Sequence, residues 1–460
     1  MMSLLLVMVA LAEPVPPPDA PVSAPADPAA LQRATGAAAL AAKHGEAAHA
    51  AYTACLQLLP DDLDCRWQRG WASWLTFDWE GAVADWAVVE AANPKWPGLA
   101  SPLAQARAQR ALMQTARAAR AAAPVTVVST APAGTTVRLR AVGDMMIGTD
   151  FPAGYLPPDA GAGTFDAVGA ALRDADFTFG NLEGPLCDTV EPSVKCRPDA
   201  APGSCYAFRT PTSYARWYQQ AGFDVVSTAN NHAADFGEEC RVQTETALSA
   251  QGIRYSGRPG TVAEWTVNGV KVALIGFHTN PSSHYLNDLP IAVGLVQALV
   301  AHNDVVIVSF HGGAEGSKAI HVPVGPEKFY GEDRGDLRVF THAVVDAGAD
   351  LVLGHGPHVL RGMETYKGRL IAYSLGNFAT YGRFNLSANQ GVGVILDVTL
   401  GADGRLVAAK LLGTRQEGEG RPVPDPANTA ADLVRTLSAS DFPEYGVRVA
   451  QDGSIVVAAP

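Results

Sequence analysis

The sequence predicts an α/β chain: a layered β-sandwich flanked by helices, preceded by a small all-α module of helical repeats. Two observations predict this class. Residues 29–122 are rich in Ala and helical in pattern, whereas from residue 137 short apolar runs typical of strands alternate with helical ones. Many of the apolar runs also end in Asp, Asn or His, which is typical of a site along one edge of a sheet.

The size and charge of the chain limit what it can be. Its 460 residues, 48% of them hydrophobic, suffice for two or three domains with buried cores. The formal net charge of -12 argues against a nucleic-acid partner, because binding to phosphates requires a basic surface.

The first residues indicate export. The opening MMSLLLVMVALAEPVPPP contains an apolar run too short to span a bilayer, and Ala10, Leu11 and Ala12 match a small-residue cleavage pattern. We therefore predict a signal peptide over residues 1–12 and a mature chain without a transmembrane span, in the periplasm, the cell envelope or the extracellular space. Residues 13–28 are dominated by Pro and Ala and are predicted to be an extended linker.

The helical region from 29 to 122 contains an internal repeat. Four positions recur 34 residues later: Gly36 at Gly70, Ala48 at Ala82, Tyr52 at Trp86, and Pro60 at Pro94. Small residues let paired helices approach, an aromatic ring fills the seam, and Pro ends the second helix, so the pattern resembles the tetratricopeptide repeat. The alternative is an Ala-rich helical hairpin with chance identities. In either case we expect a module that contacts a protein partner.

Six cysteines suit an oxidising compartment, because an even number can pair completely. Cys55 and Cys65 bracket a short loop and are predicted partners. Cys187, Cys196, Cys205 and Cys240 allow three pairings, and the sequence does not choose among them. The segment from 187 to 205 has no strand or helix pattern and is predicted to be a surface insertion, either a stapled loop without a functional role or a lip over the site.

A linker over 123–136 leads to the main domain, 137–418, in which polar residues follow the apolar runs. These residues are Asp144 in TVRLRAVGD, Asn181 and Glu183 in FGNLEG, Asn231 and His232 in GFDVVSTANNH, His311 in DVVIVSFHGG, and His355 and His358 in ADLVLGHGPH. Imidazole, carboxylate and amide oxygen together suit one or two divalent transition metals such as Mn, Fe or Zn. A pair of such ions can activate water and stabilise a displacement at phosphorus.

The motifs AVGDMMIG, FGNLEGPL, STANNHAADFG, VVIVSFHGGAE, GHGPHV and LIAYSLGNF, in this order, resemble those of the CapA family of capsule and poly-gamma-glutamate synthesis proteins. This family belongs to the calcineurin-like metallophosphoesterase superfamily, and the resemblance covers about residues 138–415. It implies a metallophosphoesterase-like sandwich for the main domain. Residues 419–460 are predicted to be a C-terminal extension with one helix and a short hairpin.

The resemblance also implies roles for individual residues. The implied metal ligands are Asp144 and His358 for a first ion, Glu183 as a bridge, and Asn231, His311 and His355 for a second ion. His232 is implied as the catalytic general acid or phosphate contact. Asn181, Glu315 and Asn377 are implied to bind substrate or to line the site.

The chain departs from the related motifs at four positions. Met146 stands where the superfamily has the His of Asp-x-His, and a thioether is a poor ligand for these ions, so the first metal site is expected to be weak. Glu183 replaces a shorter aspartate bridge. Gly356 replaces a third histidine, and Gly312 replaces a Trp, so we expect a more open pocket.

The resemblance implies an exported metal-dependent hydrolase in the synthesis, attachment or release of an anionic capsule or envelope polymer such as poly-gamma-glutamate. His232 would protonate the leaving group. One alternative is a non-catalytic scaffold of a polymer-export complex, which Met146 favours. Another is a metal-dependent peptidase or amidase on the same fold.

Overall fold

The computed structural model describes residues 27–122, 129, 131–196 and 205–456. The predicted signal peptide and most of the predicted Pro/Ala-rich linker lie outside these residues. Within the described ranges, none of the helices has the length and apolar character needed to cross a membrane.

The N-terminal region consists of five helices. They are α1 (Pro28–Ala41), α2 (Gly45–Leu58), α3 (Leu63–Leu75), α4 (Trp79–Ala92) and α5 (Ala100–Ala121). Aspartates begin three of them: the carboxylates of Asp27, Asp62 and Asp78 accept hydrogen bonds from free backbone N–H groups of α1, α3 and α4. The predicted Cys55–Cys65 disulfide is present and joins α2 to α3.

The helical repeat is visible as a contact made twice. A Cβ on Gly36 would lie 2.6 Å from Cε2 of Tyr52, and a Cβ on Gly70 would lie 2.1 Å from Nε1 of Trp86. Each glycine therefore admits the aromatic ring that packs against it, as the sequence predicts. The repetition of helix pairs is consistent with the predicted repeats, while their assignment as tetratricopeptide repeats stays a prediction.

The chain forms two compact units, which divide within α5: the first ends at Ala106 and the second begins at Arg107. The larger unit is built on two sheets. The first sheet comprises β1 (Thr136–Met146), β2 (Phe177–Leu182), β3 (Val225–Ser227), β4 (Arg254–Ser256), β14 (Asn377–Thr380), β15 (Val392–Gly401), β16 (Leu406–Glu417), β17 (Arg421–Pro424), β18 (Arg448–Val449) and β19 (Ser454–Val456). The second comprises β5 (Ala263–Val267), β6 (Val270–His278), β7 (His284–Tyr285), β8 (Val305–His311), β11 (Leu351–His355), β12 (Met363–Tyr366) and β13 (Arg369–Ala372).

Two further short strands and six α-helices lie between these strands in the described part of the chain. They are the pair β9 (Lys328–Phe329) and β10 (Glu332–Asp333), and the helices α6 (Asp166–Arg173), α7 (Ala215–Ala221), α8 (Gly237–Ala250), α9 (Leu289–Val300), α10 (Leu337–Asp346) and α11 (Thr429–Asp441). The region predicted as a C-terminal extension adds to the first sheet, because β19 pairs with β16 and α11 packs beside it.

Burial shows that the two sheets pack face to face. Leu139 and Phe179 from the first sheet join Leu274, Ile307 and Leu353 from the second in one buried apolar core. On the outer face of the first sheet, α6, α7 and α8 bury their apolar sides, and α9 and α10 do the same on the second sheet. The predicted layered sandwich flanked by helices is therefore confirmed.

Parallel pairing brings the strand ends together. In the first sheet β1, β2 and β3 run parallel, and Asp144 of β1 aligns with Asn181 of β2 and with Asn377 of β14. In the second sheet β6, β8 and β11 run parallel, with His311 aligned with His355. The carboxyl ends of these strands carry the predicted site.

Candidate functional site

The predicted ligands lie where strands of both sheets end, and most of them are buried. Asp144 is near the end of β1, Glu183 follows β2, and His311 and His355 are the last residues of β8 and β11. Each of these four side chains belongs to a residue that is at most 1% exposed. Long apolar strands fix these positions, because a one-residue slip would turn every core side chain to the opposite face.

Asp144, Glu183 and His358 form the tightest group. One ligand atom from each lies within 4.8 Å of the others. Nδ1 of His358 is 3.0 Å from Oδ2 of Asp144, and Nε2 of His358 is 3.5 Å from Oε1 of Glu183. His358 has a φ of 59°, the left-handed region, so the loop after β11 holds its ring in place through backbone conformation.

His311 and His355 lie beside this group, His311 next to Asn181 and His355 next to Asp144. Nδ2 of Asn181 donates to Oδ1 of Asp144 at 2.8 Å and lies 3.4 Å from Nδ1 of His311. Nδ1 of His355 is 3.4 Å from Oδ1 of Asp144. The partly buried Asn231 follows β3 in the same turn as His232.

Seven buried atoms of the predicted ligands have no hydrogen-bond partner among the described residues. They are Oδ2 of Asp144, both carboxylate oxygens of Glu183, Oδ1 of Asn231, Nε2 of His311, and both ring nitrogens of His355. Oδ2 of Asp144 is close to His358, but the two atoms are not aligned as a hydrogen bond. Buried polar atoms are nearly always satisfied, and these atoms are the types that bind a divalent transition metal, so the residues present fit such an ion.

Opposing charges set the protonation of this group. Burial by itself raises the pKa of Asp144, but contacts with His355 and His358 hold that pKa well below its usual value. Burial lowers the pKa of His358, but the carboxylates of Glu183 and Asp144 outweigh it and raise that pKa to about 10. Burial also raises the pKa of Glu183 well above its usual value. The group therefore holds protons that a bound cation would displace.

His232 is paired with Asp235, a residue that the sequence analysis missed. Nδ1 of His232 lies 2.8 Å from Oδ2 of Asp235, and the same oxygen accepts a hydrogen bond from the backbone N–H of Phe208. Nε2 of His232 lies 4.0 Å from Oε1 of Glu183. Burial lowers the pKa of His232, whereas Asp235 acts in the opposite direction. The sequence HAAD, which places Asp235 three residues after His232, could have indicated this pair.

The predicted lining residues Glu315 and Asn377 both face His358. Oδ1 of Asn377 lies 3.1 Å from Nδ1 of His358, and Oε2 of Glu315 lies 3.9 Å from Nε2 of the same ring. Glu315 also forms an ion pair of 2.9 Å with the buried Arg334. Glu315 and His358 line a cavity of about 220 Å³ together with His232 and aromatic side chains that include Phe208 and Phe384.

Gly312 and Gly356 contact each other. The N–H of Gly312 donates to the carbonyl of His355, and a Cβ on Gly356 would lie 2.7 Å from the carbonyl oxygen of Gly312. The φ of Gly356 is 115°, which L side chains rarely adopt. The sequence predicts a more open pocket here, but at this point backbone fills the space in which a side chain at 356 would begin.

Met146 is buried, at 1% exposure.

His278 is a second residue that the sequence analysis missed. It ends β6 in register with His311 of the neighbouring strand, and the two rings lie 5.6 Å apart. It is buried, and its Nδ1 has no hydrogen-bond partner among the residues described. The signal was present, since KVALIGFH ends in His as the β8 and β11 runs do.

Fold and site together define a class: a layered α/β protein with a buried carboxylate and imidazole centre at the strand ends of two facing sheets. Residues 138–381 match the family described as bacterial capsule synthesis protein PGA_cap. Since this is more than half of the 460 residues, the chain belongs to that family, which confirms the predicted membership.

Two curated relatives and one solved structure illustrate the similarity. The PGA biosynthesis protein CapA of Bacillus subtilis (strain 168) is 29% identical over 256 residues, 52% of this chain and 61% of that protein. The capsule biosynthesis protein CapA of Bacillus anthracis is 28% identical over 234 residues, 46% of this chain and 53% of that protein. The chain thus spans 53% to 61% of these relatives. The NAD nucleotidase of Haemophilus influenzae aligns with a TM-score of 0.32 and 13% identity over 66% of this chain and 56% of that one.

Proposed function

We propose that the chain is a metal-dependent hydrolase that acts on a phosphoester or related bond during the synthesis, attachment or release of an anionic capsule or envelope polymer. One observation carries the proposal: five of the six predicted metal ligands, clustered at the strand ends, have buried atoms without hydrogen-bond partners among the described residues. The names of the two CapA relatives, one in PGA biosynthesis and one in capsule biosynthesis, support the polymer setting.

Six residues would hold the metal. Asp144 and His358 would bind a first ion, Glu183 would bridge, and Asn231, His311 and His355 would bind a second ion. A bound divalent ion supplies Lewis-acid activation of water and of the phosphoryl oxygen. Asn181 keeps Asp144 oriented through its 2.8 Å hydrogen bond, which is the support that metal ligands require.

His232 is the proposed proton donor to the leaving group. Its ring is held on one side by Asp235 and covered on one face by Phe208, whose ring centroid is 4.2 Å away. Nε2 is directed toward Glu183, so this nitrogen is the atom that would meet substrate. Burial lowers the pKa of His232, and the contact with Asp235 counteracts this in the direction of the protonated ring that the role requires.

The direct test is the metal content of the purified protein, measured by mass spectrometry for wild type, His355→Ala and His358→Ala, with each protein assayed on a generic phosphodiester. His321→Ala is the matched control, because His321 is exposed and pairs with Asp441 in a different part of the fold. We expect bound transition metal and turnover in wild type and control, and loss of both in the two site variants. Wild type without bound metal would contradict the proposal.

A second candidate is a non-catalytic scaffold, and Met146 favours it. Met146 is buried next to the cluster where the superfamily places a histidine, so the first ion has one ligand fewer. Metal bound at the site without turnover of a phosphodiester or a peptide bond would support this candidate. Residues 29–122 would then provide the surface for a protein partner.

We also propose that the protein works outside the cytoplasm. All six cysteines are paired in three disulfides, Cys55–Cys65, Cys187–Cys240 and Cys196–Cys205. Disulfides of this kind persist in oxidising compartments and are rare where thiols are kept reduced. Fractionation of the native host should recover the chain in the envelope or the medium, and recovery in the cytoplasm would contradict the proposal.

A further inference from the structure

The insertion that begins at Cys187 is attached to the His232 turn. Cys187 is bonded to Cys240 of α8, and Cys196 is bonded to Cys205. Between these disulfides the loop attaches to the backbone carbonyl of Asp235, which accepts hydrogen bonds from Oγ of Ser193 at 2.8 Å and from the N–H of Val194 at 2.9 Å. The loop is therefore anchored to the residue that pairs with His232.

This attachment brings Lys195 into the turn. Its Nζ lies 3.0 Å from the carbonyl oxygen of Asn231, 3.1 Å from Nδ1 of His232, and 3.3 Å from Oδ1 of Asp235. The side chain of Asp235 is fully buried, and the side chain of Lys195 is 30% exposed. One ammonium group thus contacts three residues of a single turn, two of which belong to the proposed site.

The chemistry of the three groups fixes their arrangement. An ammonium only donates hydrogen bonds and an ionised carboxylate only accepts them, whereas Nδ1 of a neutral imidazole does one or the other. Nδ1 of His232 cannot both accept from the ammonium and donate to the carboxylate. Its shorter contact is the one of 2.8 Å with Oδ2 of Asp235, against 3.1 Å to Nζ of Lys195, which favours Nδ1–H donating to that oxygen beside the N–H of Phe208. Nζ then pairs with Oδ1 of Asp235 and with the carbonyl of Asn231. Nε2 is then the atom presented to the cavity. Without the ammonium, the buried Asp235 would lose its 3.3 Å ion pair with Lys195, and among the described residues its cationic partner would then be His232 in its protonated form.

We propose that Lys195 is a positioning residue that orients His232 through Asp235, and that the disulfide-bonded loop delivers it, so that the site is complete only in the oxidised chain. The inference rests on the proposed function for the catalytic role of His232. The geometric part, an orientation of His232 that depends on Lys195, is independent of any activity.

The kinetic test uses Lys195→Met, Lys195→Arg and the control Lys367→Met on the metal-loaded full chain. Lys367 is exposed and contacts Asp346 and Tyr366 at the surface. We expect Lys195→Met to lower kcat about 10- to 100-fold with KM changed less than about threefold, Lys195→Arg to restore much of kcat, and the control to match wild type. A Lys195→Met enzyme with wild-type kcat would overturn the inference.

The disulfide test compares two pairs of serine substitutions. Cys196→Ser with Cys205→Ser releases the loop, and Cys55→Ser with Cys65→Ser is the control in the helical region. We expect the first pair to lower kcat in the wild-type background and to have little further effect in Lys195→Met, because both changes remove the same contact. Fully additive losses would overturn the claim that the disulfide acts through Lys195.

A spectroscopic test separates this inference from the proposed function. In protein with ¹⁵N-labelled histidines, the His232 signals are assigned by their loss in His232→Gln and compared between wild type, Lys195→Met and Lys367→Met. We expect Lys195→Met alone to shift the His232 nitrogens. Unchanged His232 signals would overturn the inference, even in an active enzyme. Shifted signals in a protein without hydrolase activity would sustain it while the proposed function fails.

Discussion

Asp85 in the helical region and Glu183 at the strand ends are both buried carboxylates, but their surroundings differ. Asp85 is held by Arg69 through two hydrogen bonds of 2.7 Å. Neither oxygen of Glu183 has a hydrogen-bond partner in the described part of the chain. A buried carboxylate costs free energy unless it is paired. Asp85 is explained by the fold alone, whereas the proposed metal would explain the unpaired oxygens of Glu183.

The largest effect on stability is expected at the paired carboxylate. Asp85→Asn leaves the guanidinium of Arg69 without its charged partner, so we expect the free energy of unfolding to fall by about 2 kcal/mol. The free energy of unfolding is measured by urea titration monitored through tryptophan fluorescence. Asp432→Asn is the control, because Asp432 is an exposed partner of Arg435 and should change stability by less than about 0.5 kcal/mol. Equal losses of unfolding free energy in the two variants would contradict the claim that the Asp85–Arg69 pair stabilises the fold more than an exposed ion pair does.

Asp350 is an intermediate case. It has one ion pair with Arg369 at 3.1 Å and accepts the N–H of Val306 at 2.8 Å, and burial raises its pKa to about 7. Since the folded carboxyl keeps its proton at a higher pH than the unfolded one, its contribution to stability is present at low pH and is lost as pH rises from about 4 to about 7. Unfolding curves across this range should show a steeper loss in wild type than in Asp350→Asn, by at least about 1 kcal/mol. Parallel pH profiles would contradict this assignment.

The smallest effect is expected at Glu183 in metal-free protein. Burial raises the pKa of this carboxyl well above its usual value, so a neutral amide resembles the form that the metal-free fold favours. Glu183→Gln should change the free energy of unfolding by less than about 0.5 kcal/mol when a chelator is present. A loss as large as that of Asp85→Asn would show that Glu183 is a structural residue.

Much of the fold and of the site could be predicted because both depend on local patterns. Apolar runs ending in Asp, Asn or His predicted the sheets and the edge that carries the site, and the resemblance to the CapA motifs implied that Asp144, Glu183 and His358 act together. His278 also ends an apolar run, but the run alone does not predict its position beside His311, which depends on the pairing of β6 with β8. Periodicity does not encode strand order within a sheet.

Contacts between distant segments were equally inaccessible from the sequence. Gly312 and Gly356 approach each other only because β8 and β11 are neighbours. Cys187 pairs with Cys240 only because the insertion lies against α8. Lys195 belongs to a segment without periodicity, so nothing in the sequence indicated its contact with His232. Each of these features is a consequence of tertiary packing.

The most direct test of the account is calorimetric titration of Mn²⁺ or Zn²⁺ into metal-free wild type and Glu183→Gln, with Asp85→Asn in parallel. If Glu183 is a metal ligand, wild type and Asp85→Asn should bind at least one ion per chain with the same Kd. Glu183→Gln should then bind at least about tenfold more weakly. The same Kd for wild type and Glu183→Gln, or no binding by wild type, would contradict it.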